Sequence, residues 1–219
     1  ADLAGLLADE GRYQEAVDGL HDALDLLREA GGDRNALGVE VWRDLGRYQH
    51  ALGDTVEGES SYRQALQITL DRFGLNHPLT TGVQQRLGAL LMETGKGAEA
   101  HQLLRSAHDR LLSRFGPDHP AVAASWHQLG RVAWDQGRHD DADEALQRSL
   151  QLRRRDNLLP ENVAVLCDLA QVRHARGLDA NARSLAQECL QLAHNRDQAL
   201  ATRAQAMLAG LDQAGGDPD

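Results

Sequence analysis

Aromatic side chains are scarce in this chain, at 4% of 219 residues. β-Branched residues are also few and nowhere alternate with polar ones over a strand length, which argues against a sheet protein. Only two cysteines occur, Cys167 and Cys189, too few for a disulfide framework or a paired-cysteine zinc site. No apolar run approaches the roughly 18 residues that a membrane helix needs, and no stretch resembles a secretory leader. Basic residues are outnumbered, 23 against 33 acidic ones, for a net charge of −10. Nucleic-acid binding needs a basic face that displaces counterions, so this balance argues against such a partner. The longest basic run, Arg153-Arg154-Arg155, closes a predicted helix, where cations complement the helix dipole.

Signatures of chemistry are missing as well. The ten histidines form no His-Glu-x-x-His set. His101 and His108 are seven apart and could share a helix face, without a third ligand. Gly95-Lys96-Gly97 lacks the spacing and the following Ser/Thr of a phosphate loop. No Gly-x-Ser-x-Gly elbow occurs, and Cys167 has no histidine that the sequence places within reach. Neither an enzymatic activity, a cofactor nor a metal is expected.

What the chain does have is apolar content of 42%, mostly alanine and leucine, which favours helix. It also has a period. Gly46, Gly88 and Gly130 recur every 42 residues, with Ala4 one step before and Ala170 a 40-residue step after. Each follows a leucine: Leu3, Leu45, Leu87, Leu129 and Leu169. Each is followed by a breaking glycine (Gly11, Gly53, Gly95, Gly137 or Gly177) and a small residue (Ala16, Gly58, Ala100, Ala142 or Ala182). A fixed period of this length means a solenoid of helix pairs. The spacing predicts five pairs, over residues 1–32, 33–76, 77–118, 119–158 and 159–195. A capping helix follows at 197–213, and the tail 215–219 should be mobile. Pro78, Pro120 and Pro160 open helices, where a missing N–H costs nothing. His77 and His119 precede two of them as candidate caps.

Small residues in paired columns should let two helices approach closely, Gly46, Gly88 and Gly130 facing Gly58, Ala100 and Ala142. The two cysteines fall on columns expected to point to different sides of one repeat, which disfavours a bridge.

The columns Trp126, Leu129, Gly130, Gly137, Ala142, Leu146 and Leu150 resemble the tetratricopeptide repeat. The 42-residue period and the string Phe115-Gly116-Pro117-Asp118-His119-Pro120 resemble the kinesin-light-chain subclass, common in bacterial signalling proteins. Departures are Ser149 and Cys189 for the usual alanine, and Gly58 for another. Thr55, Gly97 and Asp179 stand for the usual aromatic.

The resemblance implies an all-α, right-handed superhelical solenoid whose first helices line a concave groove. On that register the groove positions are Arg43, Arg47 and His50 in the second repeat, and Gln85, Ala89 and Met92 in the third. His127, Arg131 and Trp134 follow in the fourth, and Cys167, Gln171 and His174 in the fifth. The set is rich in arginine and histidine and holds no acid, with Glu40, Glu93 and Asp135 flanking it. Trp42 and Trp126 fall on the family's buried column. Trp134 falls on the groove face, either as an exposed anchor or packed against the next repeat.

The expected function is a non-catalytic scaffold that holds a protein or peptide, with acidic residues and one apolar anchor, across repeats two to five. It would be one region of a larger bacterial signalling or regulatory protein, since Ala1 lies partway into a helical pattern. The alternative is a ligand-sensing domain attached to a Ser/Thr kinase or other signalling domain. A pocket lined by Trp134, Arg131 and His174 over an apolar floor would favour it. No membrane insertion is expected, and end-on stacking through Leu3 and Leu7 offers weak self-association. The expected compartment is the cytoplasm, or outside it if a membrane span precedes the region.

Overall fold

The computed structural model describes the backbone of residues 2–155, 159–194 and 197–214. Among these residues there are helices and no strands, in an order that reproduces the expected pairs. The first three pairs are α1 (Asp2–Asp9) with α2 (Tyr13–Glu29), α3 (Ala36–Leu52) with α4 (Thr55–Phe73), and α5 (Pro78–Glu93) with α6 (Gly97–Phe115). Then come α7 (Pro120–Asp135) with α8 (His139–Arg155), α9 (Leu159–Ala175) with α10 (Asp179–Ala193), and the terminal α11 (Gln198–Ala214). The fold is an α-solenoid of helix pairs. The expected tail, 215–219, lies outside the described residues.

The breaking glycines work through one local device. At Gly137 the backbone turns left-handed, at φ 70°, a region closed to most side chains. The Gly137 amide then donates to Trp134 O at 2.9 Å, and the Arg138 amide donates to Ala133 O at 2.9 Å. These two bonds satisfy carbonyls that the helix end leaves open. The same pair of bonds closes α1 at Gly11, α3 at Gly53, α5 at Gly95 and α9 at Gly177. Helix starts are equally local. His77 and His119 accept the amides of Leu79 and Ala121 through Nδ1, at 3.2 and 3.1 Å. Phe73 and Phe115 stack on these rings, with centroids 4.9 and 4.3 Å apart. The Phe-Gly-x-x-His-Pro string is thus a joint, in which the stacked phenylalanine orients the capping imidazole.

The chain divides into two compact units, 1–110 and 111–219, the division falling within α6. The first has one cluster of Ala16, Leu20, Leu24, Val41 and Leu45 between α2 and α3. A second joins Val39, Ala65, Ile68 and Val83. The second unit has one core running through α7 to α11, with Leu146, Leu150, Leu166, Leu169 and Ala186 at its centre.

The close approach of paired helices is present, with Gly58 against the Gly46 backbone as expected, and the residue one turn further on fills each vacated space. A Cβ at Gly46 would sit 2.9 Å from the Tyr62 ring. At Gly88 it would meet Leu104 Cγ at 2.5 Å, and at Gly130 Leu146 Cγ at 2.6 Å. Gly58, Ala100 and Ala142 leave room beside the contact, while Tyr62, Leu104 and Leu146 fill the space that the glycine vacates. Of the departures, Gly58 fits this geometry: its Cβ would lie 3.1 Å from Gly46 O. Ser149 donates to Ala123 O of α7 at 2.7 Å, so its hydroxyl is satisfied although buried. Trp42 and Trp126 are half-buried rather than buried. Arg28 and Arg148 lie over their rings, at 5.9 and 5.6 Å.

The cysteines correct the sequence reading. Cys167 of α9 and Cys189 of α10 form a disulfide, their Cα atoms 5.6 Å apart. Both are buried, at 2% and 0% exposure. The expectation failed because it carried the groove register of earlier repeats into the fifth. There α11 packs on α9 and covers the position, with Leu200 O 3.7 Å from Cys167 Sγ. A cross-link spanning 22 residues stabilises by about 3 kcal/mol in the chain-entropy account. Thiol titration of the protein unfolded in urea without reductant should find no free thiol. The Cys167→Ser/Cys189→Ser double variant should unfold in urea with about 2–4 kcal/mol less stability; a variant as stable as the parent would contradict the cross-link.

Candidate functional site

In the first unit the expected groove residues of α3 are paired with acids. Arg43 and Arg47 flank Asp44, with nitrogen–oxygen distances of 3.4 and 3.9 Å. Arg47 lies over the Tyr48 ring at 4.5 Å and donates to its hydroxyl. His50 Nε2 of α3 stands 2.6 Å from a carboxylate oxygen of Glu93 on α5, the first helix of the next pair. Gln85 and Ala89 are half-buried, and Met92, at 9% exposure, belongs to the core. Met92 is therefore no groove contact: α5 packs that face inward. The basic character expected from the columns is balanced by Asp44 and Glu93.

In the second unit α7, α9 and α11 enclose a recess of about 180 Å³. Three of the expected residues meet there: Arg131, Trp134 and Gln171. Leu146 and Val172 give it an apolar floor, and Asp135, Asp168 and Arg203 complete the wall. The two readings of Trp134 both hold in part. Its indole packs against the core of this unit and stacks on His139, with centroids 4.9 Å apart. It also lines the recess.

Asp168 is the hub of the wall, at 14% side-chain exposure. One carboxylate oxygen stands 2.7 Å from His127 Nε2 of α7, and the other 2.7 Å from an Arg203 nitrogen of α11. Arg203 also donates to Gln171. Burial on its own would raise the Asp168 carboxyl. The His127 hydrogen bond and the charges of His127 and Arg203 outweigh burial and hold it below its ordinary value. Burial pushes Asp135 the other way, up, with Arg131 pulling against it and Asp168 adding to it. Arg131 is exposed and forms no ion pair with another described residue.

The remaining expected residues serve elsewhere. His127 holds Asp168 from beneath rather than facing the recess. His174 Nδ1 turns to Asp179 at 2.7 Å, at the α9–α10 joint. Cys167 is in the disulfide. Column counting missed Asp168 and Arg203, the first because it lies one residue off the groove register, the second because α11 belongs to no repeat. Among the described residues no three His, Cys, Asp or Glu side chains converge as a metal site would require. No described helix is long and apolar enough to cross a membrane.

A family model described as tetratricopeptide repeat matches residues 1–71 and 79–155. No curated protein matches the sequence. Among solved structures, one similar chain is a kinesin-light-chain-type protein of nearly identical TPR-like repeats from Podosopora anserina. It is 22% identical with a TM-score of 0.73, over 90% of this chain and 95% of that one. BtubC (BKLC) from P. vanneervenii is 20% identical with a TM-score of 0.73, over 99% of this chain and 80% of that one. A signal transduction ATPase with numerous domains and a tetratricopeptide repeat sensor, from Pyrococcus horikoshii, is 15% identical with a TM-score of 0.77. It aligns over 99% of this chain and 33% of that one. At these identities the likeness is one of fold.

The depressed Asp168 carboxyl has a consequence for stability. A carboxylate whose folded pKa lies below its unfolded one, about 3.9, contributes fully above that pH and loses the contribution as pH falls through the folded value. Asp168→Asn should therefore destabilise by about 1–3 kcal/mol at pH 7. The gap to the parent should narrow as urea titrations move below about pH 4. A gap that does not change with pH would contradict the ion-pair role.

Proposed function

Since the chain belongs to the tetratricopeptide repeat family, we propose that it is a non-catalytic scaffold that holds a partner polypeptide on the α7–α9–α11 face. Residues 1–214 would act as one array of the 42-residue type, within a larger bacterial signalling or regulatory protein. The observation that carries the reading is the recess itself. It brings a guanidinium that is in no ion pair with a described residue, an aromatic wall and an apolar floor together at a size suited to one side chain. Arg131 offers a partner carboxylate two parallel hydrogen bonds. Trp134, fixed by His139, is the kind of rigid aromatic that anchors an interface.

Two earlier expectations are narrowed. Our reading favours the second unit for the binding face, since Asp44 and Glu93 engage Arg43, Arg47 and His50 in the first. The preference for acidic partners is confined to Arg131, since Asp135 and Asp168 would repel a uniformly acidic segment. The compartment is proposed to be one where thiols oxidise, because buried disulfides persist there and are rare in the cytosol.

A second reading, a sensor that passes a small-ligand signal to an attached domain, is favoured by the enclosed recess of Arg131 and Trp134. His174, the third residue expected there, does not contribute. The repeats of the Pyrococcus horikoshii protein are described as a sensor, which keeps this reading in view.

The test is selection of a binder from a displayed library of random dodecapeptides, followed by fluorescence anisotropy. Arg131→Glu and Trp134→Ala should each weaken the selected peptide about tenfold or more, some 1.4 kcal/mol. Arg47→Glu should leave it unchanged. Equal binding by Arg131→Glu, Trp134→Ala and parent would remove the proposed face.

A further inference from the structure

The charges around the recess do not match a simple polypeptide. Four charged side chains line it: Arg131, Asp135, Asp168 and Arg203. Asp168 and Arg203 neutralise each other, with His127 behind them. Arg131 and Asp135, both exposed, are left at the mouth, and neither forms an ion pair with another described residue. They are four residues apart on α7, one helical turn, so their backbones are separated by roughly 6 Å along the axis. Trp134 lies between them in sequence and on the same recess.

A ligand of one sign is poorly served here. An anion meets Arg131 but also the Asp135 carboxylate. A cation meets Asp135 but also the Arg131 guanidinium. An uncharged internal peptide segment offers Arg131 a carbonyl and Asp135 an amide, but no opposite charge for either. A ligand carrying one positive and one negative group, with an apolar body, satisfies all the lining. In an α-amino acid the two charged groups are about 3 Å apart. Hydrogen bonds of roughly 2.8 Å on each side let it bridge two side chains one turn apart. The volume points the same way. About 180 Å³ is below the roughly 300–1,000 Å³ of sites for larger ligands, and suits a molecule of one residue.

We infer that this recess binds a single free apolar α-amino acid as its zwitterion, with Arg131 on the carboxylate, Asp135 on the ammonium and the side chain against Trp134, Leu146 and Val172. Asp168, held by His127 and Arg203, is a positioning residue that fixes the back wall. The inference goes beyond the polypeptide reading, since it uses charges that an internal segment leaves unmatched. A bound amino acid would occupy the anchor position and exclude a partner side chain from it.

The experiment is isothermal titration of the full chain with L-leucine and L-methionine, beside N-acetyl-L-leucine and L-leucinamide. The free amino acids should bind with Kd below roughly 1 mM. Either blocked form should bind at least tenfold more weakly. Arg131→Gln should erase the discrimination against L-leucinamide, and Asp135→Asn that against N-acetyl-L-leucine. Circular dichroism of each variant shows that it is folded. No binding of either amino acid, or equal binding of free and blocked forms, would overturn the inference. Neither result bears on the dodecapeptide selection, so the two readings fail separately. Competition between L-leucine and a selected peptide is expected where both stand.

Discussion

The structure depends on side chains that are not there. At Gly46, Gly88 and Gly130 the absence of a Cβ lets the second helix of a pair place Tyr62, Leu104 or Leu146 almost on the first helix's backbone. Close-packed interiors tolerate little change of volume, so that contact sets the separation of the pair. It also reaches the site. Leu146 fills the space over Gly130 and is part of the recess floor, while Arg131, next in sequence, is on the recess wall. The joint that makes the repeat and the wall of the recess are thus one piece of packing.

Around that joint the second unit adds ties between its helices that the repeat pattern does not demand. Asp168 links α9 to His127 of α7 and to Arg203 of α11. The Cys167–Cys189 bond links α9 to α10 from the residue beside it. α9 is therefore held from three sides. A recess backed by such a helix loses little on binding, because its wall has few alternative arrangements to give up. The first unit has no described disulfide, and its groove-side charges engage each other within α3 and α5.

Much of the fold was legible in the sequence because its determinants are local. A breaking glycine, a proline at a helix start and a histidine cap act within a few residues, and the period repeats them. The helix pairs and the glycine columns follow from this. What fills the columns was legible only to within one turn, since side chains lean along the helix and the contact falls on Leu146 rather than Ala142. The site was legible in part. Arg131, Trp134 and Gln171 share one recess. Met92 is in the core, Cys167 in the disulfide and His174 beside Asp179, because burial by a neighbouring helix or a nearer carboxylate decides each case. Charge was the least legible property. Counting groove positions gave arginines and histidines flanked by acids, Glu93 among them, but not the pairing of Asp44, Glu93 and Asp168 with the residues on those positions. Arg203 reaches Asp168 because α11 lies against α9, which no repeat column encodes.

The most direct test of this account is a double-mutant cycle between Gly130 and Leu146, read by urea unfolding. Gly130→Ala should destabilise the parent, since the new methyl meets Leu146. In a Leu146→Ala background the same change should be neutral or stabilising, because alanine is the better helix former by about 1 kcal/mol. The two changes should thus couple by about 1 kcal/mol or more. Additive effects, within about 0.5 kcal/mol, would mean that the vacated side chain is not what sets the helices together.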